Sequence, residues 1–190
     1  MEAATASDLV VDPVFGARYR FARDTDDRGA KIQRVEMWVD AGGGVPAHVH
    51  PTVTERFEVL DGHLEVLSGR TWTSYGPGES ADAPAGMRHA FRNRGDVEAH
   101  AVAEASPPSS LQAFLAEAAG LARDGALSKR YGLPTSPVAL LKAAVLAHTH
   151  RDMVQLGFPL PPPFIQRLIF PPLARLGARR GYRSADFAQL

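Results

Sequence analysis

Apolar and polar positions alternate along the first half of the chain and recur at helical spacing along the second. In residues 17–21, Tyr19 and Phe21 stand against Arg18 and Arg20. In 31–40, Val35, Met37 and Val39 share one face, with Glu36 and Trp38 on the other. Period-two patterns of this kind predict half-buried strands. Residues 24–29, dense in Asp and Gly, form the turn between them. Four short strands follow, at 55–60, 64–68, 71–75 and 80–83, separated by Asp61-Gly62, Ser68-Gly69 and Gly76-Pro77-Gly78. Many short strands with glycine turns and no helices between them predict a β-sandwich or barrel rather than a parallel sheet.

At Ser106-Pro107-Pro108 the period changes. Leu111, Phe114, Leu115, Ala118 and Leu121 recur at helical spacing behind Ser109 and Ser110, and Gly125 closes the run. Ser136-Pro137 starts a second helix with Val138, Leu141, Val145 and His148 on one stripe. A third run, 164–170, meets Pro171-Pro172, which predicts a break or kink before Leu173, Ala174 and Leu176 continue. The organisation expected is a β-barrel with an N-terminal arm over 1–106, the barrel proper starting near 14, and a helical extension over 107–190. The extension must bury its apolar stripes, either as a lid over the barrel mouth or as a dimer-forming arm.

Composition narrows the possibilities. A hydrophobic content of 45% and a charged content of 22% are those of a folded globular protein. With no cysteine, disulfides and thiolate metal sites are excluded, so any metal must be held by His and carboxylate. The balanced net charge hides an asymmetry: residues 1–106 carry 11 Arg/Lys against 17 Asp/Glu, and 107–190 carry 10 against 4. Mutual attraction of the halves, within one chain or a dimer, is the expectation. No apolar run is both long and free of charge or proline, and no secretory leader pattern is present, so a cytoplasmic protein without membrane span is expected. The arginine-rich, one-sided stretch 164–183 leaves an interfacial helix as the lesser alternative.

Candidate chemistry concentrates between Gly42 and Gly62. His48 and His50, two apart, share a strand face; Glu55 starts the next strand, and His89 lies further on. Three imidazoles and one carboxylate suit a divalent metal. If Glu55 faces inward so do Phe57 and Val59, and if His89 does so do Phe91 and Asn93, leaving Arg56, Glu58, Ala90 and Arg92 outward. His63, His100, His148 and His150 read as ordinary histidines, and Arg88 and Arg92 as surface arginines. No Ser-His-Asp arrangement, nucleotide fingerprint or nucleic-acid motif is visible, and Gly42-Gly43-Gly44 lacks the Lys-Ser/Thr of a phosphate loop.

Gly42, His48, His50, Glu55 and Gly62 stand at the spacing of the first cupin motif, and Gly78, Pro84, Gly86, His89 and Asn93 at that of the second. About residues 30–105 therefore resemble the cupin superfamily. The resemblance implies a double-stranded β-helix, or jelly-roll barrel, with one divalent transition metal (Fe, Mn, Ni, Cu, Co or Zn) on His48, His50, Glu55 and His89. Such a site keeps two positions for water, substrate oxygen or dioxygen, and Glu55 can serve as base. The family spans dioxygenases, oxalate-degrading enzymes, isomerases and non-catalytic binders. The expected lining, Met37, Phe57, Val59, Phe91 and Asn93, favours an aromatic or moderately apolar small-molecule substrate. The leading expectation is a dioxygenase-like oxygenase acting on a phenolic or enolic compound, with a homodimer as its assembly. An isomerase, cyclase or decarboxylase, or a non-enzymatic binding protein, are the alternatives.

Overall fold

A computed structural model describes residues 9–26, 28–129, 132–157 and 160–189. Its strands, in chain order, are β1 (Val10–Asp12), β2 (Ala17–Thr25), β3 (Lys31–Val39), β4 (Gly44–Val49), β5 (Thr54–Asp61), β6 (Leu64–Ser68), β7 (Thr71–Tyr75), β8 (Ser80–Ala83), β9 (Arg88–Arg92) and β10 (Ala99–Ser106). Helices α1 (Leu111–Arg123) and α2 (Pro137–Thr149), a two-residue strand β11 (Gln155–Leu156), helix α3 (Pro163–Arg179) and a 3-10 helix (Ser184–Gln189) complete the chain.

The strands form two antiparallel sheets, β1-β2-β3-β10-β5-β8 and β11-β4-β9-β6-β7, whose apolar faces enclose the core of a jelly roll. Alternation decides what is inside: in β5, Glu55, Phe57 and Val59 are buried while Arg56 and Glu58 are exposed. Tyr19, Phe21, Val35, Met37, Val39 and Val66 belong to the same core. Each such side chain withdrawn from water contributes about 1.5–3 kcal/mol before entropy is subtracted. One outward expectation fails. Ala90 is buried, as is Leu67, its partner on β6, so this part of the sheet is covered on both faces.

The helices follow their sequence signals. α1 ends one residue short of Asp124-Gly125. The Ser136 hydroxyl accepts the Ala139 amide, capping α2 ahead of Pro137. The expected break at Pro171-Pro172 does not occur, and α3 runs through both prolines. Each lacks an N–H, but the carbonyls left without a donor belong to the exposed turn at Arg167 and Leu168, where water reaches them. The opposite face is held by packing on α2. Gly177 sits so near it that an added Cβ would lie 2.8 Å from Val145 and 3.1 Å from the Leu141 carbonyl.

The extension is joined to the barrel by backbone as well as side chains. β11 pairs antiparallel with β4, Leu156 opposite His48 and Gln155 opposite Val49, adding an edge strand to the sheet that carries two of the histidines. Among the described residues no helix is long and apolar enough to cross a membrane.

Candidate metal centre and its cavity

The register of β4 against β9 sets the site. Gly44 and Val45 pair with Arg92 and Phe91, but the next pair is His48 with His89, so β4 advances three residues while β9 advances two. This extra residue is a β-bulge. Without it Ala47 would face His89; with it, His48 and His89 stand side by side, their ring centroids 4.2 Å apart. His50 follows the end of β4, its centroid 4.8 Å from that of His48. Glu55 comes from β5 on the opposite sheet.

The four side chains are 8%, 2%, 5% and 1% exposed for His48, His50, Glu55 and His89, and one ligand atom from each lies within 4.8 Å of every other. His89 Nε2 is 3.1 Å from Glu55 Oε2, and His50 Nε2 is 3.6 Å from Oε1.

The second nitrogen of each ring is held by the backbone: Nδ1 of His48 by the Pro46 carbonyl (2.9 Å), of His50 by Met153 (2.8 Å) and of His89 by Met87 (2.9 Å). A carbonyl can only accept, so each Nδ1 carries the proton and each Nε2 is left as the ligand atom. This is the outer arrangement that orients metal-binding imidazoles. Donors at about 2.1 Å from one ion lie at most about 4.2 Å apart, so the cluster would close by a few tenths of an ångström per ligand. Three nitrogens and an oxygen, buried and converging, fit a divalent transition metal.

Electrostatics agree. Burial, then the neighbouring His89 and His50, push His48 down to about 3, keeping its ring neutral. Burial pushes Glu55 up, but the hydrogen bond from His89 and the electrostatic influence of the His50, His89 and His48 rings outweigh that, and its carboxyl ends below the usual range. For His89 burial lowers, but the Glu55 carboxylate more than compensates, and its affinity for a proton is raised. A carboxylate that stays ionised in an apolar interior implies a cation as partner, a proton on His89 or a metal in its place.

The cluster opens into a cavity of about 200 Å³ lined from both halves of the chain. The barrel supplies Tyr19, Val35, Met37, Phe57, Phe91 and Ala103. The extension supplies Leu111, Phe114, Leu115, Ala118, Leu140, Ala144, Val154, Leu156 and Phe170. Of the residues expected at the substrate, Met37, Phe57 and Phe91 line this space. Val59 and Asn93 do not. Val59, the next buried position after Phe57 on β5, is packed in the core. Asn93 is spent on structure: its Nδ2 donates to the carbonyls of Val39 (2.9 Å) and Val97 (2.7 Å), and its Oδ1 accepts the Gly95 amide (2.9 Å). Its backbone pairs with Gly42 and Gly43. The Gly42–Gly44 loop is thus fastened, with Gly43 so close to the Gly16 carbonyl that a Cβ would lie 2.4 Å from it.

Sequence reasoning did not assign Tyr19, Asp12 or Phe15 to the site. The inward parity of Tyr19 was legible; its position at the cavity was not. His150, read as ordinary, is buried in a polar clamp. Its Nε2 lies 2.9 Å from Glu117 Oε2 and its Nδ1 3.0 Å from Ser110 Oγ, while Ser184 also donates to Glu117. This serine–histidine–carboxylate chain, absent from any local motif, ties α1, α2 and the 3-10 helix together. Arg92 is at the surface, paired with Glu65 and lying over the Trp72 ring, and Arg88 is exposed.

Comparisons with known proteins match residues 35–103 to the family model described as a cupin domain. Among solved structures, KdgF from a Halomonas species is similar at 21% identity, covering 54% of this chain and 88% of that one, with a TM-score of 0.47. A sugar phosphate isomerase from a cupin superfamily, from Silicibacter pomeroyi, is similar at 20% identity, with 56% and 73% covered and a TM-score of 0.44. A predicted oxalate decarboxylase from Thermotoga maritima is similar at 16% identity, with 54% and 92% covered and a TM-score of 0.43. No curated protein matches.

Proposed function

We propose, from the premise that this chain belongs to the cupin superfamily through residues 35–103, that it is a metal-dependent oxygenase, dioxygenase-like, acting on a small and largely apolar substrate with a phenolic or enolic oxygen. The observation that carries the reading is the juxtaposition of the three-histidine, one-glutamate cluster with an apolar cavity walled by Phe57, Phe91, Phe114 and Phe170. His48, His50, Glu55 and His89 would hold the ion, which supplies Lewis acidity toward an enolate or phenolate oxygen and, with iron or another redox metal, a meeting point for substrate and dioxygen.

The protein's own residues supply the rest. Backbone carbonyls fix the three rings in one tautomer, so no reorganisation is needed when a ligand arrives. Glu55, held ionised, is the group that can take the substrate's hydroxyl proton. The apolar wall excludes water, strengthens charge interactions at the cluster and receives dioxygen, itself apolar. The same wall argues against oxalate or a sugar phosphate, whose charges would lie against phenylalanine and leucine with no lysine or arginine among the described lining residues.

Metal analysis of the purified protein, followed by oxygen-electrode measurements with a panel of phenols and cyclic diketones, tests this. Iron, manganese, nickel, copper or cobalt at near one per chain, with substrate-dependent oxygen uptake, is the expected result. Zinc with no oxygen uptake on any member would overturn the oxygenase reading and favour Lewis-acid isomerisation or simple binding.

A further inference from the structure

Among the described residues five polar side chains line the cavity, and four of them are already engaged. His48, His50 and Glu55 belong to the cluster. Asp12 Oδ1 accepts the amides of Val14 (2.9 Å) and Phe15 (3.0 Å), closing the turn between β1 and β2. The fifth is Tyr19. It is 2% exposed, it points from β2 into the interior beside Met37, its register partner on β3, and its hydroxyl has no hydrogen-bond partner among the described residues.

A buried hydroxyl without a partner weakens the fold, and phenylalanine at this position would avoid that loss while keeping the ring. Phe21, two residues on and on the same face, shows that the core accepts an aromatic without the oxygen. Burial, with the nearby carboxylates of Asp12 and Glu55 adding to it, raises the affinity of the Tyr19 oxygen for its proton far above the usual range. The group is a donor without an acceptor, at the wall of a ligand-sized space.

We propose that Tyr19 Oη is the second anchor of the substrate, donating a hydrogen bond to a carbonyl, ether or hydroxyl oxygen of a small ring compound whose other oxygen faces the His48, His50, Glu55 and His89 cluster. The class follows from the space. An apolar cavity of about 150 Å³ takes up benzene, so about 200 Å³ holds one substituted ring. Two polar foci in an apolar wall then select a ring with two oxygen functions. The inference rests on the metal-centre reading for the first oxygen and on Tyr19 alone for the second.

Binding of acetophenone and of ethylbenzene to the full-length protein tests it. These probes share a phenyl ring and a two-carbon side chain and differ by one carbonyl oxygen. Affinities come from ligand-observed NMR titrations, on wild type, Tyr19→Phe and His50→Ala, with metal content measured for each. Wild type is expected to prefer acetophenone by about tenfold. Tyr19→Phe should abolish that preference, leave ethylbenzene binding and metal content unchanged, and melt at the same temperature or a few degrees higher. A preference that survives in Tyr19→Phe but vanishes in His50→Ala places the acceptor at the metal and overturns the proposal. A lowered melting temperature in Tyr19→Phe, or no binding of either probe, overturns it too. If Tyr19→Phe removes the preference in a protein that carries no metal, the Tyr19 subsite stands and the metal reading falls.

Discussion

The Nδ1 of His50 lies 2.8 Å from the carbonyl oxygen of Met153, 103 residues later in the chain. One of the three imidazoles of the barrel is therefore oriented by the extension. The contact is held in place by β11 against β4, and by the His150 carbonyl, which accepts the amides of Met153 and Val154.

Detaching β11 should loosen the metal centre without touching a ligand. A Cβ at Gly157 would lie 2.2 Å from the Ala47 carbonyl, so Gly157→Val must push the two strands apart. Metal affinity, read by competition with a chromogenic chelator, should fall about 10- to 100-fold, with the far-ultraviolet circular dichroism of the barrel unchanged. An unaltered affinity would show that the Met153 carbonyl does not orient His50.

Removing a ligand should remove the ion. His50→Ala and His89→Ala are each expected to lose most bound metal on dialysis, measured by plasma mass spectrometry. In the intact protein, metal at 100 times its dissociation constant stabilises by about 2.7 kcal/mol. At about 2–4 °C per kcal/mol for a chain of this size, a chelator should lower the melting temperature by about 5–11 °C. Unchanged stoichiometry in His50→Ala would refute the ligand assignment.

The Glu117–His150 clamp predicts non-additivity. Glu117→Ala leaves a buried imidazole and the Ser184 hydroxyl without their partner, and a loss of about 3–5 kcal/mol in urea unfolding is expected. The double variant Glu117→Leu/His150→Phe, which removes the polar pair altogether, should cost less than Glu117→Ala alone.

Asp12 gives a pH signature. Burial raises its carboxyl above the usual 3.8, despite the amides of Phe15 and Val14 and the charge of Arg123. The folded state thus prefers the protonated acid, so ionisation destabilises the protein above the folded value, and the effect disappears below the unfolded one. Asp12→Asn should raise the melting temperature at pH 7, with a difference from wild type that shrinks to nothing as pH falls below about 3.8.

The homodimer, expected from sequence, has a candidate surface. Phe164 and Leu168 on α3 are 66% and 72% exposed, with Val138 and Leu140 of α2 also exposed. Phe164→Glu/Leu168→Glu should convert a dimer to a monomer in multi-angle light scattering. A wild-type monomer would leave that face without this role.

Much of the architecture was readable from local pattern. Alternation within the strands, and the glycine turns between them, follow from side chains that must face a core or water, so β5, β6, β7 and β8 were placed to within a residue. Ser136-Pro137 announced α2 through a cap that acts over three residues. Pro171-Pro172 misled because the rule weighs the lost hydrogen bonds, while the packing of Ala174 and Gly177 on α2, set by distant residues, decided the outcome. Asn93 misled because parity gives a face, not a partner.

By itself the sequence determined the four candidate ligands and a β-sandwich or barrel to carry them, since donor chemistry, strand parity and turn glycines are properties of short stretches; the jelly roll was implied by the resemblance of the two motifs to those of cupins. Tertiary structure alone decided three things: the β4 bulge that puts His48 rather than Ala47 opposite His89, the Met153 carbonyl behind His50, and the helical wall that shares one apolar cavity with Tyr19 of the barrel. Each depends on residues far apart in the chain meeting at hydrogen-bond or van der Waals range, and no local periodicity encodes such a meeting.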